Sequence, residues 1–328
     1  PFTVTVTVKP EPVVLNQTIT VCSDITTNLL LGSDVDGPSV ASYSITNINS
    51  NTLVSSAGLP VTGTGLAANE LFNDAWTNNT SASVNVVYTV VPLGVNGCEG
   101  DPFTVTVTVT PEPAVANQTT TSCSDVALGV NFNSSTSVAA ATYNVTALNL
   151  RGLTVSPGTN AAVANGLLAT DLANDAFTNT TNAPVNVDYT VVPVTALGCK
   201  GEPFTVTVTV DPEPVVANQA VTICSDVAIN LVLGNDSDGP SAATYNITAI
   251  NPSGLVSSAG FPVTGTGFTA NELFNDAWTN KTSAPVNVVY TVVPVSSLGC
   301  KGNPFTVTVT VKPEPVVLNQ TITVCSDI

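Results

Sequence analysis

The sequence predicts an all-β protein built from tandem β-sandwiches, and three observations lead to this prediction. The segment Pro1–Val8 returns at 102–109, 203–210 and 304–311, a period of 101 residues. This segment alternates Thr with Val, as expected for a strand whose Val side faces a core and whose Thr side faces solvent. Several further strand-like runs with turn signals fill each period. A period of this length indicates whole domains rather than small solenoid units.

Each repeat contains recognisable elements in a fixed order. A first strand at Thr18–Val21 reaches the turn Cys22-Ser23-Asp24 and continues into Ile25–Leu31. A later stretch predicts a turn or short helix whose aromatic residue plugs the core. A Val-rich run then forms a hairpin with the Thr-Val strand that closes the unit. Immunoglobulin-like sandwiches have this pattern of short strands in about 100 residues. The turn or helix segments are Ala67–Trp76, Ala169–Phe177 and Thr269–Trp278; the Val-rich runs are Val84–Val91, Val185–Val192 and Val286–Val293.

The repeats define the expected domain boundaries. They are the last strand of a preceding repeat at 1-9, immunoglobulin-like repeats at 10-110, 111-211 and 212-312, and the first strand of a following repeat at 313-328. Each seam contains Pro-Glu-Pro, as in Pro111-Glu112-Pro113, and two prolines make a short, stiff spacer. Because residues 1–25 are identical to residues 304–328, we expect a section of a longer fibre whose ends are completed by neighbouring repeats or copies of itself.

The composition excludes several classes of function. The chain has 328 residues, a net charge of -17 and no His. A nucleic-acid partner needs a basic face, so none is expected. Without His there is no Ser-His-Asp triad and no His-ligated zinc, and we expect no enzymatic activity. There is no run of about 20 apolar residues, so no membrane span is expected in this sequence.

The cysteines follow the repeat, with two in each unit at fixed positions. They indicate a disulfide framework formed in an oxidising compartment, which predicts an extracellular, cell-surface location. Zinc is the alternative, but no CxxC pair occurs. The seven residues are Cys22, Cys98, Cys123, Cys199, Cys224, Cys300 and Cys325.

Two disulfide patterns are compatible with this spacing. In a head-to-tail sandwich, the first turn and the last hairpin turn lie at opposite ends of a unit, separated by a strand of roughly 33 Å. Disulfides need Cα atoms within about 7 Å, which favours bonds between neighbouring units, Cys22–Cys199 and Cys123–Cys300. The alternative is a bond within each unit, namely Cys22–Cys98, Cys123–Cys199 and Cys224–Cys300.

Two sets of acidic residues are candidate sites. Asp34, Asp36, Asp236 and Asp238 lie in Asp-x-Asp-Gly turns that resemble a calcium loop. However, unit two has Ser135 and Ser137 at these positions, and Asp-Gly is a common turn. A second set contains acidic and Asn residues, and capping and turn hydrogen bonds explain its recurrence in each unit more simply than catalysis does. This second set consists of Glu70, Asn73 and Asp74, with Asp171, Asn174 and Asp175, and with Glu272, Asn275 and Asp276. We expect no catalytic residue and no cofactor, with calcium as the one alternative.

The ordered motifs resemble a known repeat family. They are Pro-Glu-Pro, Cys-Ser-Asp, Val-Asn-Val-Val-Tyr-Thr-Val-Val-Pro, Gly-Cys-Lys-Gly and Pro-Phe-Thr-Val-Thr-Val-Thr-Val. Together they resemble the PKD-like repeats of Bacteroidota cell-surface adhesins, of which the SprB-type gliding adhesins look most similar. The resemblance implies export by the type IX secretion system and filaments used for gliding or attachment. The Trp-Asp-Phe-Gly-Asp-Gly signature of true PKD domains is missing.

Together these features predict a structural segment of an adhesin stalk or surface filament. Its proline seams and disulfides would set its stiffness. The alternative is a tandem carbohydrate-binding array that contacts surface glycans. Trp76 and Trp278 are its best candidate contacts, so exposure of both side chains on one face would favour this alternative and burial would count against it.

Overall fold

The computed structural model describes residues 2–159, 161–234, 236–315 and 320–324. Each of the three units has a five-stranded sheet, and a small two-stranded sheet accompanies it. In unit one, the hydrogen-bonded order in the large sheet is Gln17–Cys22, Phe103–Thr110, Val84–Gly94, Val40–Asn49 and Gly63–Leu66, and the strand Val54–Ala57 pairs with Ala75–Thr77. Units two and three repeat this arrangement, and unit three has a second two-stranded sheet formed by Val215–Val216 and Asp236–Asp238. The predicted all-β tandem sandwich is therefore confirmed.

The strands have the following bounds. Unit one contains β1 Gln17–Cys22, β2 Val40–Asn49, β3 Val54–Ala57, β4 Gly63–Leu66, β5 Ala75–Thr77, β6 Val84–Gly94 and β7 Phe103–Thr110. Unit two contains β8 Gln118–Cys123, β9 Thr142–Asn149, β10 Thr154–Val155, β11 Ala164–Leu167, the 3-10 helix Asp171–Asn174, β12 Phe177–Thr178, β13 Val185–Val194 and β14 Phe204–Asp211. Unit three contains β15 Val215–Val216, β16 Gln219–Cys224, β17 Asp236–Asp238, β18 Thr244–Asn251, β19 Val256–Ala259, β20 Gly265–Phe268, β21 Ala277–Thr279, β22 Val286–Val295 and β23 Phe305–Lys312.

The Thr-Val strand closes each unit as its alternation predicts. In β7 the Phe and Val side chains are buried, while most of the Thr side chains between them are partly exposed. The strand pairs antiparallel with β6 and parallel with β1, so it lies between the Val-rich run and the first strand. Tyr88, Tyr189 and Tyr290 are completely buried at equivalent positions in the three separate cores.

One expected strand differs from the structure, and so does the position of one aromatic residue. Residues 25–31 are not a strand, because Asn28 has a φ of 49° and the segment instead bonds to the backbone of residues 68–74. The expected turn or short helix is present, as a turn at residues 68–73 in unit one and as the 3-10 helix Asp171–Asn174 in unit two. Trp76 is buried as expected, but it lies just after the turn, on the short strand β5.

The outermost segments do not form sandwich strands in the described residues. Residues 2–8 have no strand partner, and Phe2 is 91% exposed, whereas its equivalent Phe103 is 2% exposed. Much of the predicted strand at 313–328, including Cys325, lies outside the described residues.

Candidate functional site: the disulfide-bridged seams

The parallel pairing of first and last strands places the first cysteine of each unit at a seam. In unit one, Cys22 is opposite Thr110, the final residue of β7. In unit two, Cys123 is opposite Asp211 in the same way. The second cysteine, such as Cys199, follows the turn after the Val-rich strand and therefore lies at the opposite end of its unit.

Two disulfides cross the two seams between complete units. Cys22 is bonded to Cys199 with a Cα–Cα distance of 5.4 Å, and Cys123 is bonded to Cys300 with a distance of 5.5 Å. These are the inter-unit pairs that the strand-length argument favours. Among the described residues, Cys98 and Cys224 remain free thiols.

The residue pair Ser-Asp after each first cysteine anchors that end of the strand. Ser23 is buried, and its hydroxyl accepts a hydrogen bond of 2.9 Å from the backbone N–H of Asn78. Asp24 has a φ of 62°, a left-handed conformation that Asp tolerates better than most residues. Its carboxylate accepts a bond from Thr77 Oγ1 at 2.5 Å. The Cys-Ser-Asp motif thus fixes the direction in which Cys22 leaves its strand.

A buried asparagine clamps the same end of the unit. The side-chain amide of Asn78 donates to the carbonyls of Val109 and Ala82, at 2.8 and 2.9 Å. Its carbonyl oxygen accepts from the backbone and hydroxyl of Thr80. Asn78 is not among the residues predicted from the sequence, although Trp-Thr-Asn or Phe-Thr-Asn recurs in every unit at Asn78, Asn179 and Asn280.

A glycine lets the cysteine-bearing hairpin dock on the proline seam. A Cβ atom on Gly201 would lie only 1.8 Å from the carbonyl oxygen of Pro113. Gly302 approaches Pro214 to the same distance, and Gly100 approaches Pro12 to 2.0 Å. The second Gly of Gly-Cys-Lys-Gly is therefore required by contact with the backbone of Pro-Glu-Pro. Because the contacted atom belongs to the backbone, it cannot move aside as the end of a flexible side chain would.

The glutamate of each complete seam lies in a poorly solvated, acidic environment. Burial raises the pKa of Glu112, and the carboxylates of Asp24 in unit one and Glu202 in unit two raise it further. Burial and Asp125 act in the same direction on the pKa of Glu213. Each of these seam glutamates is therefore repelled by a carboxylate of the preceding unit, Asp24 for Glu112 and Asp125 for Glu213.

The tryptophans are part of the cores. Trp76 is 5% exposed and donates to Tyr88 Oη at 3.1 Å, and Tyr88 Oη donates to Asp74 Oδ2 at 2.8 Å. Trp278 is 4% exposed and makes the equivalent bond. Buried indoles cannot form a glycan platform, so the carbohydrate-binding alternative loses its best candidates.

Asp74, which belongs to the second set of candidate residues, has a buried carboxyl in the core of unit one. Burial raises its pKa to about 6, although the hydrogen bond from Tyr88 opposes this shift and Glu70 adds to it. Burial raises the pKa of Asp276 to about 6 as well, with Tyr290 and Glu272 acting in the same two ways. In unit two, Asp171 caps its own turn by accepting from the backbone N–H of Leu168. These hydrogen bonds stabilise the fold, and those of Asp74 and Asp276 connect the two carboxyls to buried tyrosines of the core.

The Asp-x-Asp-Gly turns brace the chain just after Pro-Glu-Pro. Asp34 Oδ1 accepts a hydrogen bond of 2.6 Å from the backbone N–H of Val13, and Asp36 bridges to the same residue. In unit two, Ser135 and Ser137 accept from the equivalent backbone N–H of Ala114. Hydroxyl and carboxylate oxygens thus make the same turn contact. Side chains of residues 236–238 lie outside the described part of the structure, which contains no cluster of three or more potential metal ligands.

Comparisons with known proteins identify a family. The model of the PKD-like domain matches residues 19–113, 120–214 and 221–315. No curated protein matches the chain. Solved structures that match the chain include Drosophila N-cadherin EC1-4, at 11% identity, a TM-score of 0.23 and coverage of 93% of this chain and 76% of that one. They also include the sialic acid binding region of a Streptococcus sanguinis adhesin, at 10% identity, a TM-score of 0.22 and coverage of 94% and 79%. Because the family model covers most of the sequence in three successive copies, this chain belongs to the PKD-like domain family.

Proposed function

We propose that this chain is a structural repeat segment of a secreted cell-surface filament or adhesin stalk. The observation that carries this proposal is the disulfide across each seam between complete units. Each seam is thereby crossed by two covalent connections, the Pro-Glu-Pro backbone and a cystine. A single flexible linker allows neighbouring domains to swivel, whereas two separate attachment points oppose bending and twisting.

The disulfides and the motif order support an extracellular mechanical role. Stable disulfides are typical of oxidising compartments outside the cytoplasm. Within the described residues, no helix has the length and apolar character needed to cross a membrane. The motif order of the repeats supports the finer proposal of a type IX-secreted adhesin that functions in gliding or attachment.

Small-angle X-ray scattering tests the stiffness of the seams. We expect the oxidised chain to give a narrow distribution of elongated shapes, and the Cys22→Ser/Cys199→Ser variant to give shorter, broader distance distributions. Cys98→Ser is the matched control because it leaves both described disulfides intact. Identical distributions for the oxidised chain and the double variant would contradict a stiffening role.

Surface labelling of intact cells tests the location. An antibody against a folded unit is expected to label unpermeabilised cells of the source organism and to decorate filaments in electron micrographs. Labelling that requires permeabilisation would contradict the proposal.

A further inference from the structure

The two disulfides connect the strands of successive units into continuous covalent paths. Path one runs through residues 10–22, crosses to Cys199 and continues through residues 199–224. Path two runs through residues 98–123, crosses to Cys300 and continues through residues 300–312. In each unit a path uses about a dozen residues, mostly of the first or the last strand, which span roughly 40 Å when extended.

In unit two the two paths run side by side. Path two occupies β8 and path one occupies β14, and these strands pair in parallel from Gln118 opposite Val206 to Cys123 opposite Asp211. The residues between the two cysteines of each unit, 23–97, 124–198 and 225–299, lie on neither path. If both paths continue into adjoining units, tension along the array would pass by most of each core; within this chain alone, the paths are joined through residues such as 124–198.

Each path stops at a free cysteine. Path two begins at Cys98, and path one ends at Cys224. The bonded equivalents of Cys98 are Cys199 and Cys300, which are 1% and 0% exposed, whereas Cys98 is half-buried and Cys224 is exposed.

The surroundings of Cys98 match those of its bonded equivalents. The hairpin bond from Gly94 N to Cys98 O is 2.8 Å, equal to the bonds that hold Cys199 and Cys300. Asn96 also donates to the carbonyl of Pro10 at 2.8 Å, so this hairpin is already docked on its own seam.

Cys224 likewise has the geometry of the bonded first cysteines. It is opposite Lys312, and the backbone N–H of Ser225 donates to Lys312 O at 2.8 Å. The bonds after Cys22 and Cys123, from Ser23 and Ser124, have the same length.

We propose that Cys98 and Cys224 are joining sites that form disulfides with adjoining units of the same kind, so that two covalent paths carry tension while the unit cores are bypassed. Cys98 takes the first-strand cysteine of the unit before it, and Cys224 takes the hairpin cysteine of the unit after it. An adjoining unit before unit one would also cover residues 2–8. Their apolar side chains are exposed, although the identical sequence at 103–109 is buried as the last strand of unit one.

The joining reaction is a thiol–disulfide exchange. Two thiols lose two protons and two electrons and form one S–S bond, while a disulfide-bearing oxidant of the compartment is reduced to two thiols. The reaction needs no metal or other cofactor.

Peptide mapping without reduction tests the joining sites. The protein is isolated from its source with free thiols blocked by alkylation and is then digested. We expect the Cys98 peptide to be linked to a Cys-Ser-Asp peptide and the Cys224 peptide to be linked to a Gly-Cys peptide. Alkylated Cys98 and Cys224, or glutathione on both, would overturn the proposal while leaving the stiff-seam function intact.

Single-molecule pulling on this chain tests the bypass. With both described disulfides present, the shortest covalent route between residues 10 and 312 spans only about 100 residues, or roughly 350 Å. The reduced chain can extend to roughly 1,000 Å. After reduction we expect three unfolding steps, each of which releases the length of one unit. Before reduction we expect the total released length to be smaller than one such step. Three full steps from the oxidised chain would overturn the bypass, and Cys98→Ser, which keeps both bonds, should behave as the oxidised chain does.

Discussion

At the residue scale, close backbone approach and burial explain the roles of residues that the amino-acid composition does not single out. Gly201 contributes no side chain to the seam, and its role is to let the Cys199 hairpin touch Pro113. Asp74 is a carboxyl in a core, held by Tyr88 and poorly solvated. Gly201 thus supports the seam and Asp74 supports the core of the sandwich, each through a direct contact.

The substitution Gly201→Ala is expected to disturb the first complete seam. Its Cβ would overlap the Pro113 carbonyl, so backbone must shift, at a cost of about 1 to 3 kcal/mol. Thermal unfolding and the fraction of Cys22–Cys199 formed would measure this effect. Gly63→Ala is the control, since its Cβ would meet Leu66 at an ordinary 3.7 Å. Equal behaviour of the two variants would contradict the steric role.

The buried carboxyls predict a pH dependence of stability. Folding raises the pKa of Asp74 and Asp276 from 3.8 to about 6, so the folded state favours their protonated forms. Their contribution to the free energy of unfolding should be largest below pH 4, decrease between pH 4 and pH 6, and stay constant above.

Chemical denaturation at several pH values checks this dependence. The double variant Asp74→Asn/Asp276→Asn should show a flatter profile between pH 4 and pH 6 than the unmodified chain. Asp101→Asn, at an exposed position, is the control. An unchanged slope in the double variant would contradict the assignment.

At the element scale, the first strand and the last strand form the mechanical part of each unit. Their parallel pairing places the first cysteine beside the seam, and the Ser-Asp turn and the asparagine clamp hold that end together. The Thr-Val alternation predicts the last strand because a period of two is visible in one segment. The small two-stranded sheet is not predictable in this way, since β5 has three residues and is defined by its partner β3.

Loss of the asparagine clamp is expected to destabilise its unit. Asn78→Ala would leave the buried Val109 carbonyl without its side-chain partner, at a cost of about 1 to 3 kcal/mol, and would also remove the bond to the backbone N–H of the exposed Thr80. Hydrogen exchange near β7 and the unfolding midpoint would report the loss. The exposed neighbour variant Asn79→Ala should change neither, and similar effects from both would contradict the clamp.

At the scale of the whole molecule, interlocked disulfides couple units whose cores are separate. Cys22–Cys199 joins units one and two, and Cys123–Cys300 joins units two and three. Unit two therefore has a covalent brace at each end, in addition to its two Pro-Glu-Pro seams.

Reduction should uncouple the units. A native disulfide typically contributes about 2 to 5 kcal/mol, so we expect the reduced chain to unfold at a lower temperature and with more independent transitions. Scanning calorimetry of oxidised and reduced samples measures both effects. Cys98→Ser without reductant serves as the control, and an unchanged transition after reduction would contradict the coupling.

The repeat, the alternating strands, the stiff seams and the positions of the cysteines can be predicted from the amino-acid order alone, because they depend on local periodicity and fixed backbone angles. Inter-unit disulfides are also favoured at that level, since only the length of a strand is needed to prefer them. The parallel pairing of β1 with β7, the position of Trp76 on the short strand β5 and the clamping of the turn by Asn78 became visible only in the folded structure. These features depend on contacts between residues far apart in the chain, and no local pattern in one segment specifies its partner.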